Sequence, residues 1–232
     1  MPVIDEIREQ HEIVKKKGLK YRLQYFWDYY RTATLFTIIG LIFAGSIIHT
    51  FVTAKDTRFE VLMINSFSSP SQEAFGKLLE INEKKEEVTF DYNFYINPDP
   101  EAMDNATYAN SQKLMAVIAS KSADVMIAPE TLFTRYVNGG VMGDLRNFFS
   151  ESELEALGDK VLWLEIYDAD NDETLPAAPL AIDVTDAPGL KDNACYPQDE
   201  KILMGPIINS KHPEDFKTFY NFLYSSESSS GE

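Results

Sequence analysis

ADVMIAPETLFTRYVNGG, Ala123–Gly140, carries a strand and a helix in one short stretch. Apart from Asp124, Ala123–Ala128 is apolar without alternation, the pattern of a strand covered on both faces in a parallel sheet. Pro129 then opens a helix, where its fixed φ is already helical and its missing N–H costs nothing. Asn138-Gly139-Gly140 ends the helix, with glycine supplying the left-handed cap.

Working outward, the same unit recurs upstream. Phe59–Asn65 (FEVLMIN) is a strand-forming apolar run. Ser69-Pro70-Ser71-Gln72 reads as a capping box opening a helix from Pro70 to about Lys84, with Phe75, Leu78 and Leu79 on one face. Val88–Ile96 alternates, which assigns Val88, Phe90, Tyr92, Phe94 and Ile96 to one face of a strand. A helix over about Asn105–Ser120 buries Leu114, Met115, Val117 and Ile118. Three strands alternating with three helices predict an α/β fold, a parallel or mixed sheet flanked by helices. Downstream the pattern changes: a short helix at Glu151–Leu157, strands at Val161–Tyr167, Leu175–Val184 and Lys201–Ile208, and a last helix at Pro213–Tyr224.

Ahead of this domain lies Thr32–Ala54, 23 residues without a charge between Arg31 and Lys55. As a helix it spans about 34 Å, enough for a hydrocarbon core of about 30 Å. The chain thus divides into a cytoplasmic basic and aromatic segment (1–31), a transmembrane helix (32–54), an extracytoplasmic domain (55–224) and a polar, disordered tail (225–232). Formal charge is +2 before the run and −18 after it. Lys15, Lys16, Lys17, Lys20, Arg22 and Arg31 crowd toward the membrane, followed by a Tyr/Phe/Trp belt, so the N-terminus is expected inside and the domain outside a plasma membrane. Lys15–Tyr30 also suits an interfacial helix on an anionic leaflet. Val52-Thr53-Ala54 resembles a signal-peptidase site, yet a signal core of about 7–15 residues is much shorter than this run. His49 sits near the outer end of the span and reaches the interface.

The single cysteine, Cys195, excludes an intrachain disulfide, and Asn193–Pro197 places no base or cation beside the thiol, so it reads as inert. The acidic domain excludes a nucleic-acid partner, which requires a basic face.

Two segments carry a family resemblance. Ser120–Leu145, through Asp124, Gly140 and Asp144-Leu145, and Ile207–Leu223, through Ser210-Lys211-His212-Pro213-Glu214, resemble bacterial extracellular (type II periplasmic) solute-binding proteins. The resemblance covers roughly residues 59–145 and 201–224 and implies a bacterial cell-envelope protein. That family inserts a whole second lobe between these stretches and clamps its ligand between lobes, whereas this chain has only 55 residues there. Family members also carry a lipid-anchored N-terminal cysteine, absent here. The resemblance therefore implies a one-lobed relative held by a protein anchor.

In open α/β sheets ligands bind beyond the carboxyl ends of the strands. This rule nominates Asn65, Ser66, Ser68 and Ser69 after the first strand, Pro129, Glu130 and Thr131 after the third, and Asp183 and Thr185 after PLAIDV. Ser69 is equally explained as a helix cap and Asp186–Gly189 as a turn. Asp168, Asp170 and Asp172 recur at calcium-loop spacing, but Glu173 and Pro179 stand where an EF-hand requires Gly and Glu, so the loop reads as an acidic hairpin connection. His11, His49 and His212 cannot assemble a Ser/Cys–His–Asp set or a metal cluster. No enzyme, cofactor or metal is expected. Beyond the bilayer at 32–54, two partner classes stay open: a small-molecule ligand, or another envelope protein met by an interaction module that has lost small-molecule binding.

Overall fold

The computed structural model describes residues 19–102, 104–168, 173–208, 210–225 and 228. Lys15, Lys16 and Lys17, the loop residues 169–172 and, apart from Ser228, the tail beyond Ser225 lie outside the described residues. The chain divides into two units, Met1–Ala54 and Lys55–Glu232.

In the first unit, α1 is one continuous helix, Leu19–Thr53. Its Tyr30–Thr50 portion, 21 residues of mean hydropathy 1.8, is long and apolar enough to cross a bilayer. The expected boundary at Thr32 is not a structural break, because residues 19–31 continue the same helix. Thr37, Thr50 and Thr53 donate their hydroxyls to the carbonyls of Ala33, Ser46 and His49, four residues back, at 2.9, 3.0 and 2.7 Å. Their polarity is thereby satisfied within the helix.

The second unit is a six-stranded mixed sheet between two layers of helices. Its strands are β1 (Asp56–Ile64), β2 (Glu86–Phe94), β3 (Val125–Pro129), β4 (Val161–Asp168), β5 (Glu173–Asp183) and β6 (Ile202–Pro206). Their order is β2-β1-β3-β6-β5-β4. β1 runs parallel to β2 and β3, whereas β6, β5 and β4 each run antiparallel to a neighbour. The sequence change after residue 145 is therefore the change from parallel to antiparallel pairing, and the β4–β5 hairpin stands where the acidic loop was expected.

On one face α2 (Gln72–Leu78), α5 (Glu151–Leu157), α6 (Pro188–Lys191) and α7 (Asp215–Leu223) cover Phe59, Val61, Met63, Val88, Val125 and Ile127. Phe219 stands at the centre of this layer, its ring centroid 5.7, 5.2 and 5.4 Å from those of Phe59, Phe75 and Phe90. On the other face α3 (Asn105–Ala119) and α4 (Glu130–Asn138) cover Leu62, Ile64, Met126 and Ala128.

Four local readings are corrected. Ser71, not Ser69, caps α2, accepting from the Ala74 amide at 3.2 Å, while Gln72 reaches across to the Phe90 amide at 3.1 Å. The helix also stops at Leu78, well short of Lys84. Glu80 turns left-handed (φ 52°), and Asn82 accepts from the Lys84 amide at 3.2 Å, a side-chain turn that competes with further helix. In β2, Val88 and Phe90 join the first layer but Phe94 and Ile96 the second. Leu62 pairs with Asp91 and Ile64 with Phe94, so β2 spends three residues against two. A bulge of one residue reverses every later side chain, which period-2 reading cannot anticipate. Met115 on α3 is likewise exposed rather than buried.

Candidate functional site

β1 and β3 both end at the same edge of the sheet. Because β6 and β5 alternate in direction, the start of β6 and the end of β5 arrive there too. All nine nominated residues therefore lie along this edge. β2 and β3 leave β1 on opposite sides, so the crevice between the ends of β1 and β3 is the switch point where such folds bind ligands. The β1–β3 pairing stops at Met63–Ile127, and beyond it the strands separate.

That crevice is filled by the chain itself. The Phe67 amide donates to the Cys195 carbonyl at 2.8 Å. Ser66 Oγ lies 2.6 Å from the Ser68 carbonyl and 2.9 Å from the Cys195 carbonyl, its one proton shared between them. Ser68 Oγ donates to the Asn193 carbonyl at 2.5 Å and touches Cys195 Sγ at 3.6 Å. Returning the grip, Tyr196 donates its hydroxyl to the carbonyl of Ile127, in the last β1–β3 pair, at 3.2 Å. Burial pushes the Tyr196 phenol well above its ordinary range, so it remains a donor. Cys195 is fully buried and burial raises its thiol as well. The segment's backbone bends sharply at Ala194, which is held left-handed at φ 50°.

Five of the other seven nominated residues are engaged structurally as well. Asn65, left-handed at φ 57°, continues the β1–β2 ladder with its side chain: Nδ2 donates to the Ile96 carbonyl at 2.8 Å and Oδ1 accepts from the Ile96 amide at 2.7 Å. Pro129 is buried and paired with Ile202. Glu130 forms an ion pair with Lys201 at 2.7 Å. Asp183 accepts from the Thr185 amide and hydroxyl at 2.9 and 2.6 Å, and Thr185 Oγ1 accepts from the Ile202 amide at 2.9 Å. Ser69 is half-buried, and Thr131 is exposed on the first turn of α4. Open space remains on the far side of the filling segment, a cleft of about 310 Å³ lined by Thr185, Lys191, Tyr196, Gln198, Glu200 and Ile202 among others.

The two stretches that carry the family resemblance meet at the start of β3. Buried Asp124 accepts from Ser210 Oγ at 2.5 Å, from the His212 amide at 3.2 Å and from the Glu60 amide at 3.0 Å. Their task here is to bind the turn before α7 to β1 and β3. Nearby, His212, Glu214 and Asp215 lie within 4.8 Å of one another, a donor set of metal-binding type. Arg58 occupies the place of a cation, 3.3 Å from Glu214 and 2.7 Å from Asp215. Despite that guanidinium, burial raises the Asp215 carboxyl above its ordinary value. Arg58 makes this cluster a brace, one guanidinium set between two carboxylates.

Sequence reasoning missed the filling segment Asn193–Tyr196, since a buried loop carries no periodicity. It also missed three exposed rings, Phe67, Tyr95 and Tyr108, although the alternation of β2 already set Tyr95 apart from the Val88/Phe90 face. Compared with protein-family models, curated proteins and solved structures, the chain matches none.

Proposed function

We propose that the protein is a membrane-tethered docking module of the cell envelope: α1 anchors it with the N-terminus inside, and the acidic α/β domain outside engages another protein. The observation that carries this reading is the occupied switch point. The polar groups that would greet a solute between β1 and β3 instead hold Asn193 and Cys195, and the Tyr196 hydroxyl completes the closure. A one-lobed descendant of solute-binding proteins that had exchanged ligand capture for docking would keep the sheet and close the cleft in this manner. No catalytic role is assigned to it.

The second reading is a small-molecule binding domain, favoured by the 310 Å³ cleft beside Thr185 and Lys191, near the lower end of ligand-site volumes. A thermal-shift panel of sugars, amino acids, short peptides and divalent metals separates the two. The docking reading expects no midpoint shift beyond about 1 °C. A shift of several degrees with one compound class, as ligand at about 100 times Kd produces, selects the small-molecule reading.

A further inference from the structure

Past α7, the chain comes back to the segment that fills the crevice. Ser228 is fully buried, and its carbonyl accepts from Asn193 Nδ2 at 2.9 Å. The same nitrogen also donates to the Gly189 carbonyl at 2.8 Å. A third group, the Ser71 amide at the cap of α2, lies 3.5 Å from the Ser228 carbonyl. A capping box would satisfy that amide from the third helical residue, but Ala74 stands there and has no acceptor. Ser228 Oγ donates to the Ser225 carbonyl at 2.7 Å. Ser225 in turn donates its amide and hydroxyl to the Phe222 carbonyl at 3.0 and 2.8 Å, which ties the group to the last turn of α7.

The seat is shaped for this residue. Gly189 is buried in α6, and a Cβ there would stand 2.7 Å from Ser228 Oγ, 2.8 Å from Ser228 Cβ and 3.0 Å from the Leu223 carbonyl. Glycine is what lets Ser228 approach so closely. Asn193 is thereby held at two points. Its carbonyl accepts from Ser68 Oγ within the crevice, and its carboxamide donates to Gly189 and Ser228.

We propose that the stretch after α7 is a latch on the crevice, with Ser228 as the residue that engages. Seated, it fixes the Asn193 side chain and keeps Asn193–Tyr196 in place. Unseated, it leaves that segment to the grip of Ser66, Ser68, Tyr196 and the Phe67 amide. Ser228 brings no apolar side chain to the core, so its release belongs to the low-energy, local end of the openings a domain undergoes. The tie to Asn193 spans 35 residues and all of α7, which couples closure of the crevice to the placement of a distant stretch. A lifted segment would bare Ser66, Ser68 and the Ile127 carbonyl at the switch point, where open α/β sheets take ligands. The latch rests on the closed crevice and not on what the domain docks to.

The test uses the full chain in phosphatidylcholine nanodiscs, beside Gly189→Ala and a version ending at Ser225. Cys195 is the one thiol in the chain, so its labelling by a thiol reagent reports lifting of the segment. Losing the Ser228 hydrogen bond to Asn193 should raise that rate roughly 2- to 12-fold in the shortened chain. The opening seen at Cys195 should still exceed that of the slowest β1 and β3 amides by hydrogen exchange, the mark of local opening. Gly189→Ala, which crowds Ser228 from its seat, should act alike in the full chain and add less than about twofold in the shortened one. Unchanged labelling in the shortened chain overturns the latch. So does Cys195 opening only as often as the β1 and β3 core, because the segment then never lifts alone. An equal Gly189→Ala effect in both backgrounds assigns the crowding to Leu223 and overturns the role of Ser228. The small-solute panel on the parent chain tests the docking reading separately, so either can fail alone.

Discussion

Replacing Tyr196 by Phe removes one oxygen and little volume. In the parent, the hydroxyl is the donor to the carbonyl of Ile127, a member of the last β1–β3 pair. Removing it forfeits one hydrogen bond to a carbonyl that stays in the sheet, about 0.5–1.5 kcal/mol. At about 2–4 °C per kcal/mol for a domain of this size, the melting temperature should fall by roughly 1–6 °C. Local opening is a more specific readout. Cys195 is fully buried under the same segment, so a thiol reagent reaches it only when the segment lifts. A loss of about 0.5–1.5 kcal/mol raises the open population, and the labelling rate, roughly 2- to 12-fold. Ser68→Ala, which releases the Asn193 carbonyl, should act in the same direction, and the double variant should fall short of or exceed additivity because both residues hold one segment. Tyr196→Phe with unchanged stability and unchanged Cys195 labelling would refute the idea that this segment closes the crevice.

Ala194→Gly should stabilise the domain by up to about 1 kcal/mol by urea denaturation, since the left-handed backbone at φ 50° strains alanine and not glycine. Gly205→Ala should destabilise by about 1–3 kcal/mol or prevent folding, because a Cβ there would meet the Leu180 carbonyl at 2.5 Å and Phe133 Cζ at 2.7 Å. Hydrogen bonding from Lys217, then from the Ser150 backbone, lowers the Glu153 carboxyl to about 2 from 4.5. A depressed folded-state value stabilises above pH 4.5 and is lost as pH falls toward 2, so Glu153→Gln should flatten the acid side of the stability profile across that window.

Much of this architecture was legible because the chain obeys local rules. The apolar run before Pro129, the Gly139-Gly140 stop and the charge-free segment at residues 32–54 each have one physical solution, and the elements formed there. Reading failed where strand pairing or a competing local turn overrode the simple pattern. The β2 bulge moved Phe94 to the opposite layer, and a side-chain turn at Asn82 competed with further helix after α2. The strand-end rule brought the nominated residues to one edge. Sequence could not disclose that their polar atoms are already taken, because the partners, Cys195 and Ile202, lie more than a hundred residues from Ser66 and 17 from Thr185. Exposed aromatic rings were equally hidden, since composition counts a tyrosine alike whether it packs or projects.

Residue-resolved hydrogen exchange on residues 55–232 tests the central claim most directly. The Phe67 amide is bonded to the Cys195 carbonyl at 2.8 Å and the Cys195 amide to the Leu190 carbonyl at 2.9 Å. If the chain closes its own crevice, both amides exchange slowly, at rates approaching those of the β1 and β3 core, and added small solutes leave them unchanged. Exchange at the rate of an open loop, or slowing of these two amides by a small solute, would contradict it.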